Sequence, residues 1–344
     1  MLTWRQRIKS YKLQRTFAQH LRSYSETPPP LKKILFSRDY TNYTGGHQKV
    51  RDYIGHFAAH PNFDVSLYLN NTSSVMPDLF ENIDGVTYQA SYSPEGFDYV
   101  FLAGMDWRRY LPLQSNNAEQ KRDAPVVINL IQHVRHGDPK HPLHAFMKQK
   151  ALRLCVSMAV KDAVEPYANG PCRYIRMGHN IPVIPSSKTY DLYILANKRP
   201  AWGKEIADWA KGEGLNFLLH HRLMPKDEVL KAMANADISV CLPNPTEGFY
   251  LPGIEAMNLS NKVVVPDCIA NREYNQGFSN LIVSASCTEG VIEAIQTQRL
   301  RRFGPLNYLR KLRANKIVKT YSLANERAQL YSVLQELSTH EPLV

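Results

Sequence analysis

Short apolar runs of strand length alternate with segments of helical periodicity along most of the 344-residue chain. The first unit has an apolar run at residues 33–37, the pair Gly45-Gly46, apolar residues at helical spacing, and a second apolar run at residues 63–69. Strand, glycine turn, helix and strand in this order predict a βαβ unit. Because such units pair their strands in parallel and cover both faces of the sheet with helices, the pattern predicts an α/β fold.

Two Pro-rich segments divide this pattern. Residues 26–31 precede the first predicted strand, and residues 180–187 separate a first α/β series from a second. The chain length also fits two domains of about 150 residues each. Apolar residues recur at helical spacing from residue 317 to residue 334, which predicts one long amphipathic helix at the C-terminus. We therefore predict a leader with its hinge (1–30), a first α/β domain (31–182), a second α/β domain (183–312) and a C-terminal helix (313–344).

Cysteine usage and hydropathy exclude several classes of protein. The five cysteines are widely spread and never stand in C-x-x-C spacing, so they predict neither a disulfide framework nor a zinc ribbon. No apolar run approaches the ~18 to 20 residues that a spanning helix needs. The first fifteen residues also lack the apolar core of a secretory signal. These features predict a cytoplasmic protein.

The net charge of +11 is concentrated in two segments. Residues 1–25 hold six Lys or Arg and no acid, and residues 294–325 hold eight with no acid, so the rest of the chain carries a small negative charge. Apolar residues at near-helical spacing in the first segment predict a basic amphipathic helix. Such a helix can pack on the body with its charged face in water, lie on an anionic membrane surface, or hold nucleic acid. Nucleic acid ranks last, because the α/β body has no basic-aromatic interleaving and no recognised nucleic-acid module.

Two glutamates follow the predicted strand at residues 238–242. The sequence predicts Glu247 on the turn and Glu255 in the first turn of the next helix. Gly248 and Gly253 let backbone N–H groups approach a ligand, and a helix start favours an anion. The segment therefore predicts a phosphate-binding loop, and the alternative is a pair of solvated carboxylates.

The segment Glu247-Gly-Phe-Tyr-Leu-Pro-Gly-Ile-Glu255-Ala-Met257 resembles the E-x7-E signature of the family-four retaining glycosyltransferases of the GT-B fold. Gly45-Gly46, residues 153–161, residues 177–180 and the segments around residues 262–266 also resemble this family, so the resemblance covers residues 31–335. It implies two Rossmann-like doubly wound domains around a cleft. The acceptor would bind to the first domain, the nucleotide-sugar donor to the second, and the C-terminal helix would brace the first.

The resemblance assigns roles within the signature. It implies that Glu255 accepts hydrogen bonds from the ribose hydroxyls of the donor and that Glu247 contacts hydroxyls of the transferred sugar. The remaining residues expected to line the sugar and the phosphates are Gly248, Phe249, Tyr250 and Leu251.

A leaving pyrophosphate needs positive charge nearby, because negative charge grows on it as the glycosidic bond breaks. By resemblance an Arg and a Lys five positions on supply it, and Arg199 and Lys204 have that spacing. Lys198 stands where the family has glycine, so either Lys198 or Arg199 can take the place of the arginine. The alternative is a solvated basic loop.

A His-rich segment follows the predicted strand at residues 126–131. The resemblance implies that His133 contacts the donor sugar, whereas a role in the core or in a loop is the alternative. Four histidines between residues 133 and 144 also raise a metal hypothesis. We expect no metal, because prolines break any helix that could present a regular pair and because the family typically works without one. Gly45 and Gly46 either approach the donor phosphates or the acceptor, or only form a tight turn.

The sequence and the resemblance together predict a retaining glycosyltransferase of the hexosyltransferase class. It would move a sugar from a nucleoside-diphosphate sugar to a glycan or lipid-linked acceptor in envelope polysaccharide or glycolipid synthesis, with no cofactor beyond the donor. The basic segments 1–25 and 294–325 predict peripheral association with the inner face of the membrane. The alternatives are a nucleotide-sugar epimerase or hydrolase on the same fold, and a non-catalytic nucleic-acid-binding protein.

Overall fold

The computed structural model describes residues 30–39, 45–70, 79–116, 124–301 and 304–339. The predicted basic leader lies outside these residues. Within them the chain forms two parallel sheets, one of seven strands and one of five. The predicted α/β fold class is therefore confirmed.

The seven-stranded sheet has the strand order β3-β2-β1-β4-β5-β6-β7. Its strands are β1 (Lys32–Asp39), β2 (Phe63–Asn70), β3 (Val86–Gln89), β4 (Tyr99–Ala103), β5 (Val126–Ile131), β6 (Leu152–Cys155) and β7 (Cys172–Tyr174). Its α-helices are α1 (Gly45–Ala58), α2 (Trp107–Asn116) and α3 (Met158–Val164). The direction in which strands are added reverses between β1 and β4, and such a switch point opens a crevice at the carboxyl ends of its strands.

The five-stranded sheet has the strand order β12-β11-β10-β8-β9. Its strands are β8 (Tyr190–Leu195), β9 (Phe217–His220), β10 (Ala236–Cys241), β11 (Lys262–Pro266) and β12 (Leu281–Ser284). The helices that alternate with them are α4 (Pro200–Gly212), α5 (Lys226–Asn235), α6 (Leu251–Leu259) and α7 (Thr288–Leu300). Here the switch point lies between β8 and β10, so the loops that follow these two strands start at neighbouring positions.

The C-terminal region forms two helices, α8 (Pro305–Lys319) and α9 (Leu323–Thr339), so the prediction of one long helix was wrong. The chain between them pairs with the segment that crosses from one sheet to the other. The backbone N–H of His179 donates to the carbonyl of Tyr321 at 2.7 Å, and Ser322 forms a parallel bridge with His179. This pairing takes the backbone out of helical geometry between the two helices.

Helix α9 packs against α1. The Glu326 carboxylate accepts from Lys49 Nζ at 3.0 Å, and Tyr331 Oη donates to the carbonyl of His56 at 2.8 Å. The C-terminal helix thus contacts the first half of the chain, while the exact domain boundaries stay predictions. Among the described helices, none is both long and apolar enough to cross a bilayer.

Candidate active site

Loops from both sheets meet where their strands end. His133, which follows β5, forms an antiparallel bridge with Glu247, which follows β10. At the next residue, Gly248, an added Cβ would lie 2.1 Å from the carbonyl oxygen of Gln132. A glycine at this position therefore allows close backbone contact between the two halves of the chain. The structure thus brings His133 and the Glu247 loop together.

Glu247 is buried and accepts hydrogen bonds from two side chains. It is 6% exposed, and its Oε1 accepts a hydrogen bond from Lys198 Nζ and a longer one from Asn244 Nδ2 at 3.4 Å. The Lys198 ammonium also lies 5.3 Å from the ring centroid of Tyr250. A buried carboxylate needs a compensating charge, and the Lys198 ammonium supplies one beside Glu247.

The surroundings of His133 favour the neutral form of its imidazole. Burial and the Arg135 guanidinium lower its pKa, while the Glu247 carboxylate acts in the opposite direction. Its Nδ1 is buried and accepts no hydrogen bond from any described residue. A neutral imidazole next to a carboxylate is the kind of pair that hydrogen-bonds to hydroxyl groups.

Glu255 lies one turn deeper in its helix than the sequence predicted. Helix α6 begins at Leu251, with Pro252 in its first turn, so the expectation of Glu255 in the first turn was wrong. Its Oε1 accepts a hydrogen bond from His179 Nε2 at 2.6 Å, and the two residues are 5% and 8% exposed. Both glutamates of the signature are therefore buried carboxylates with a nitrogen partner.

The three basic residues predicted to hold a diphosphate occupy different positions. Lys198 faces Glu247, as described above. Arg199 donates from Nε to the carbonyl of Pro243 at 2.8 Å, and its guanidinium stacks 4.0 Å from the ring centroid of Trp202. Lys204 is exposed on α4. The first two thus hold the loop that carries Glu247, and the third is open to solvent.

The remaining residues of the signature pack around the same loop. Phe249 and Tyr250 are buried, and the Phe249 ring contacts the rings of Tyr274 and Tyr321. Gly253 lies under Tyr274, because an added Cβ would come within 2.1 Å of its Oη. Gly253 therefore serves packing here, whereas the sequence analysis predicted a role in ligand approach.

The Gly45-Gly46 pair starts α1 beside this loop. An added Cβ at Gly45 would lie 3.8 Å from Leu251 Cδ1, and Gln132 Nε2 donates to the carbonyl of Gly46 at 3.2 Å. The start of α1, the end of β5 and the start of α6 thus form one junction. It joins most of the residues that the sequence singled out.

The other histidines of the His-rich segment bond to nearby backbone. His136 Nδ1 donates to the carbonyl of His133 at 2.9 Å, His144 Nδ1 donates to the carbonyl of His136 at 3.1 Å, and His141 accepts from the N–H of Leu143. In the part of the chain that the structure describes, no group of three or more His, Cys, Asp or Glu side chains is placed to hold a metal ion.

Sequence reasoning missed two groups of residues at this junction. One is His179, the partner of Glu255, which gives no signal because it lies 76 residues away along the chain. The other lies at the end of β1, where Arg38 donates to Asp106 Oδ2 and to His47 Nδ1, each at 2.8 Å. Burial and the Arg38 charge lower the pKa of His47 to about 4, so this imidazole is neutral. The charged pair Arg38-Asp39, directly after the apolar run at residues 33–37, was the available signal.

No protein-family model and no curated protein matches this sequence. Solved structures do match it. HepE from Anabaena in complex with UDP and glucose has a TM-score of 0.64 at 12% identity, over 89% of this chain and all of that one. A glycosyltransferase from Rickettsia africae has a TM-score of 0.64 at 11% identity, over 90% and 100%. Sucrose-phosphate synthase from Thermosynechococcus elongatus has a TM-score of 0.60 at 12% identity, over 89% and 99%.

The fold is GT-B. Its two sheets correspond to the two Rossmann-like halves of these glycosyltransferases, as the sequence predicted. At identities near 12% the likeness concerns the fold alone. The family-four membership inferred from the E-x7-E signature stays a prediction.

Proposed function

We propose that this protein is a nucleotide-sugar-dependent glycosyltransferase. The observation that carries the proposal is the pair Glu247 and Glu255, which are buried carboxylates near the switch point of the second sheet, with Glu247 bridged to the loop that follows β5 of the first sheet. Ligands of open α/β sheets bind at such points. The likeness to HepE and sucrose-phosphate synthase adds support at the level of the fold.

The donor would bind along the start of α6. Glu255 would accept hydrogen bonds from ribose hydroxyls, and HepE binds UDP, which makes a uridine nucleotide the first candidate. The cations on the loop after β8, Lys198 and Arg199, together with the exposed Lys204, would neutralise the diphosphate. The backbone of Gly248 to Leu251 would line the sugar and the phosphates.

The proposed reaction retains the anomeric configuration. The bond between the anomeric carbon and the phosphate oxygen breaks, and the acceptor oxygen bonds to that carbon on the same face. The acceptor proton passes to the leaving phosphate oxygen, so no protein nucleophile is required. Lys198 would stabilise charge that develops on the pyrophosphate, and Glu247 with neutral His133 would hold hydroxyls of the transferred sugar.

The proposed acceptor is a glycan or a lipid-linked molecule, in envelope polysaccharide or glycolipid synthesis. It would bind against the first sheet, where Gly45 and Gly46 start α1. The segments 1–25 and 294–325 carry 14 positive charges and no acid, which supports work at the anionic inner face of a membrane.

Thermal unfolding with a panel of nucleoside diphosphates tests the donor site. A nucleotide at a hundred times its dissociation constant stabilises the folded protein by about 2.7 kcal/mol. We expect one nucleotide to raise the midpoint of the wild type, Glu255→Gln to lose that rise, and the exposed Glu205→Gln to keep it. A panel in which no nucleotide raises the midpoint refutes the donor site.

A hydrolase or an epimerase on the same fold would share the nucleotide pocket. Incubation with the donor alone separates these activities from transfer. A hydrolase releases free sugar and an epimerase changes the sugar, whereas a transferase leaves most of the donor intact until an acceptor is added.

A further inference from the structure

Helix α8 has two apolar faces, and the described residues of the protein cover only one of them. On the inner face Ala314 and Ile317 are 0% and 2% exposed. On the outer face the four large apolar residues Leu306, Tyr308, Leu309 and Leu312 are 46% to 59% exposed. A solvent-facing helix surface normally carries polar residues instead.

The outer face cannot turn inward. Lys311, on the inner side, donates from Nζ to the carbonyls of Met257, Asn258 and Ser260 at 2.9, 2.6 and 2.5 Å. These carbonyls lie at the C-terminal end of α6, where backbone acceptors lack helical partners. The rotation of α8 about its own axis is therefore fixed by contacts to α6.

Positive charge surrounds the exposed leucines. Arg313, Lys316 and Lys319 are exposed on α8, and residues 304–325 contain no acid. Two further large apolar side chains are exposed: Leu300, at the end of α7, is 82% exposed, and Phe278, 51% exposed, lies under the Arg310 guanidinium at 5.2 Å. Leucines interleaved with cations match the composition of helices that lie in a membrane interface.

We propose that this face binds the surface of an anionic lipid bilayer. It comprises Leu306, Tyr308, Leu309, Leu312, Arg313, Lys316 and Lys319, and we call it the α8 lipid face. The charge argues against the leader as its occupant, because residues 1–25 also carry six positive charges and no acid. Nucleic acid would engage the cations but would leave the leucines exposed, whereas a bilayer interface accepts both.

The location of the α8 lipid face extends the membrane part of the proposed function. Helix α6 has nine residues and is thus about 13 Å long. Glu255 lies on this helix, and Lys311 of α8 contacts its C-terminal end. A bilayer on the α8 lipid face would therefore lie near the candidate donor site, with α8 between the lipid headgroups and the end of α6.

Co-sedimentation of the full chain with vesicles tests the proposal without any donor, so its failure leaves the nucleotide site standing. The vesicles are phosphatidylcholine alone, or phosphatidylcholine with about one third phosphatidylglycerol. We expect the wild type to bind only the anionic vesicles. The double variant Leu309→Ser, Leu312→Ser should weaken this binding at least tenfold. Each of these leucines is about half exposed in the free protein, and the variant loses the free energy of burying that exposed apolar surface in the bilayer.

Matched variants separate apolar from electrostatic binding. Replacing Arg313, Lys316 and Lys319 by Gln should also weaken binding at least tenfold. Val183→Ser removes an apolar side chain that is 99% exposed elsewhere, and Gln at the exposed Lys140, Lys148 and Lys150 removes three charges elsewhere. Both controls should bind like the wild type.

Several results would overturn the proposal. Unchanged vesicle binding in the double Ser variant would show that the leucines do not enter the lipid. A wild type that self-associates, and becomes monomeric in that variant without any vesicle binding, would make the face an interface between copies. Retention of an oligonucleotide without vesicle binding would assign the cations to nucleic acid.

Discussion

A buried ion cluster joins α1, α9 and the segment that crosses between the sheets. Glu326, which is 0% exposed, accepts from Lys49 at 3.0 Å, from His56 Nε2 at 2.9 Å and from the N–H of Gly178 at 3.0 Å. Lys49 in turn donates to the carbonyl of Gly178 at 2.6 Å. Burial alone would lower the pKa of Lys49, but the carboxylates of Glu326 and Asp52 hold it above its ordinary value.

Glu326→Gln keeps the size of the side chain and removes its charge. Removing one partner of a buried ion pair costs about 3 to 5 kcal/mol. Asp52 remains 2.8 Å from Lys49, so the loss should fall near the lower end, about 3 kcal/mol. Since the folded-state pKa of Lys49 is raised, its contribution is complete below pH 10.5 and is lost as the pH rises through the raised value.

Urea unfolding at neutral pH measures this loss. Glu336→Gln on the same helix is the control, because its partner Arg173 is 3.5 Å away and both side chains are about half exposed. The control should stay within about 0.5 kcal/mol of the wild type. Replacing Lys49 by Met together with Glu326 by Leu should not recover this loss, because it leaves His56 and the N–H and carbonyl of Gly178 without their partners. A Glu326→Gln protein as stable as the wild type would refute the assignment of this cluster as a structural ion network.

Three further perturbations address the first sheet and the junction. Gly248→Ala should lower the free energy of unfolding by about 1 to 3 kcal/mol, because its Cβ would meet the Gln132 carbonyl. Gly212→Ala should leave it unchanged, because a Cβ there would have open space around it. Burial lowers the pKa of His136 to about 4, so stability should fall as the pH drops from 6.5 to 4, and His136→Gln should flatten that part of a pH titration of unfolding. Arg153 is 0% exposed and donates to five backbone carbonyls. Arg153→Met should lower the free energy of unfolding, measured with urea, by at least about 3 kcal/mol, and a smaller loss would contradict its role in fixing residues 146–151.

Local patterns predicted much of the architecture. The apolar runs that became β1, β2, β5 and β10 are recognisable because parallel strands are buried on both faces. The short strand β3 escaped notice, since its residues are largely exposed. The single predicted C-terminal helix failed because its interruption depends on pairing with His179, which is distant in sequence.

The sequence also predicted only part of the candidate site. Glu247, Gly248 and His133 sit in loops that directly follow buried strands, and the sequence placed them at one cleft. The partners Lys198 and His179 were harder to assign, because each meets its glutamate only through the fold. Lys49 and Glu326 are 277 residues apart, and no local pattern in the sequence joins them.

The contact between His179 and Glu255 bears on how tightly any sugar nucleotide can bind. The carboxylate of Glu255 already accepts a hydrogen bond of 2.6 Å. Under the proposed function, a ribose hydroxyl can bond to this carboxylate without displacing His179, because the two oxygens of a carboxylate accept several hydrogen bonds. His179 would hold Glu255 in place before the donor arrives, so less order has to be gained on binding, and deoxyribose analogues that lack the hydroxyl should bind more weakly than the ribose form.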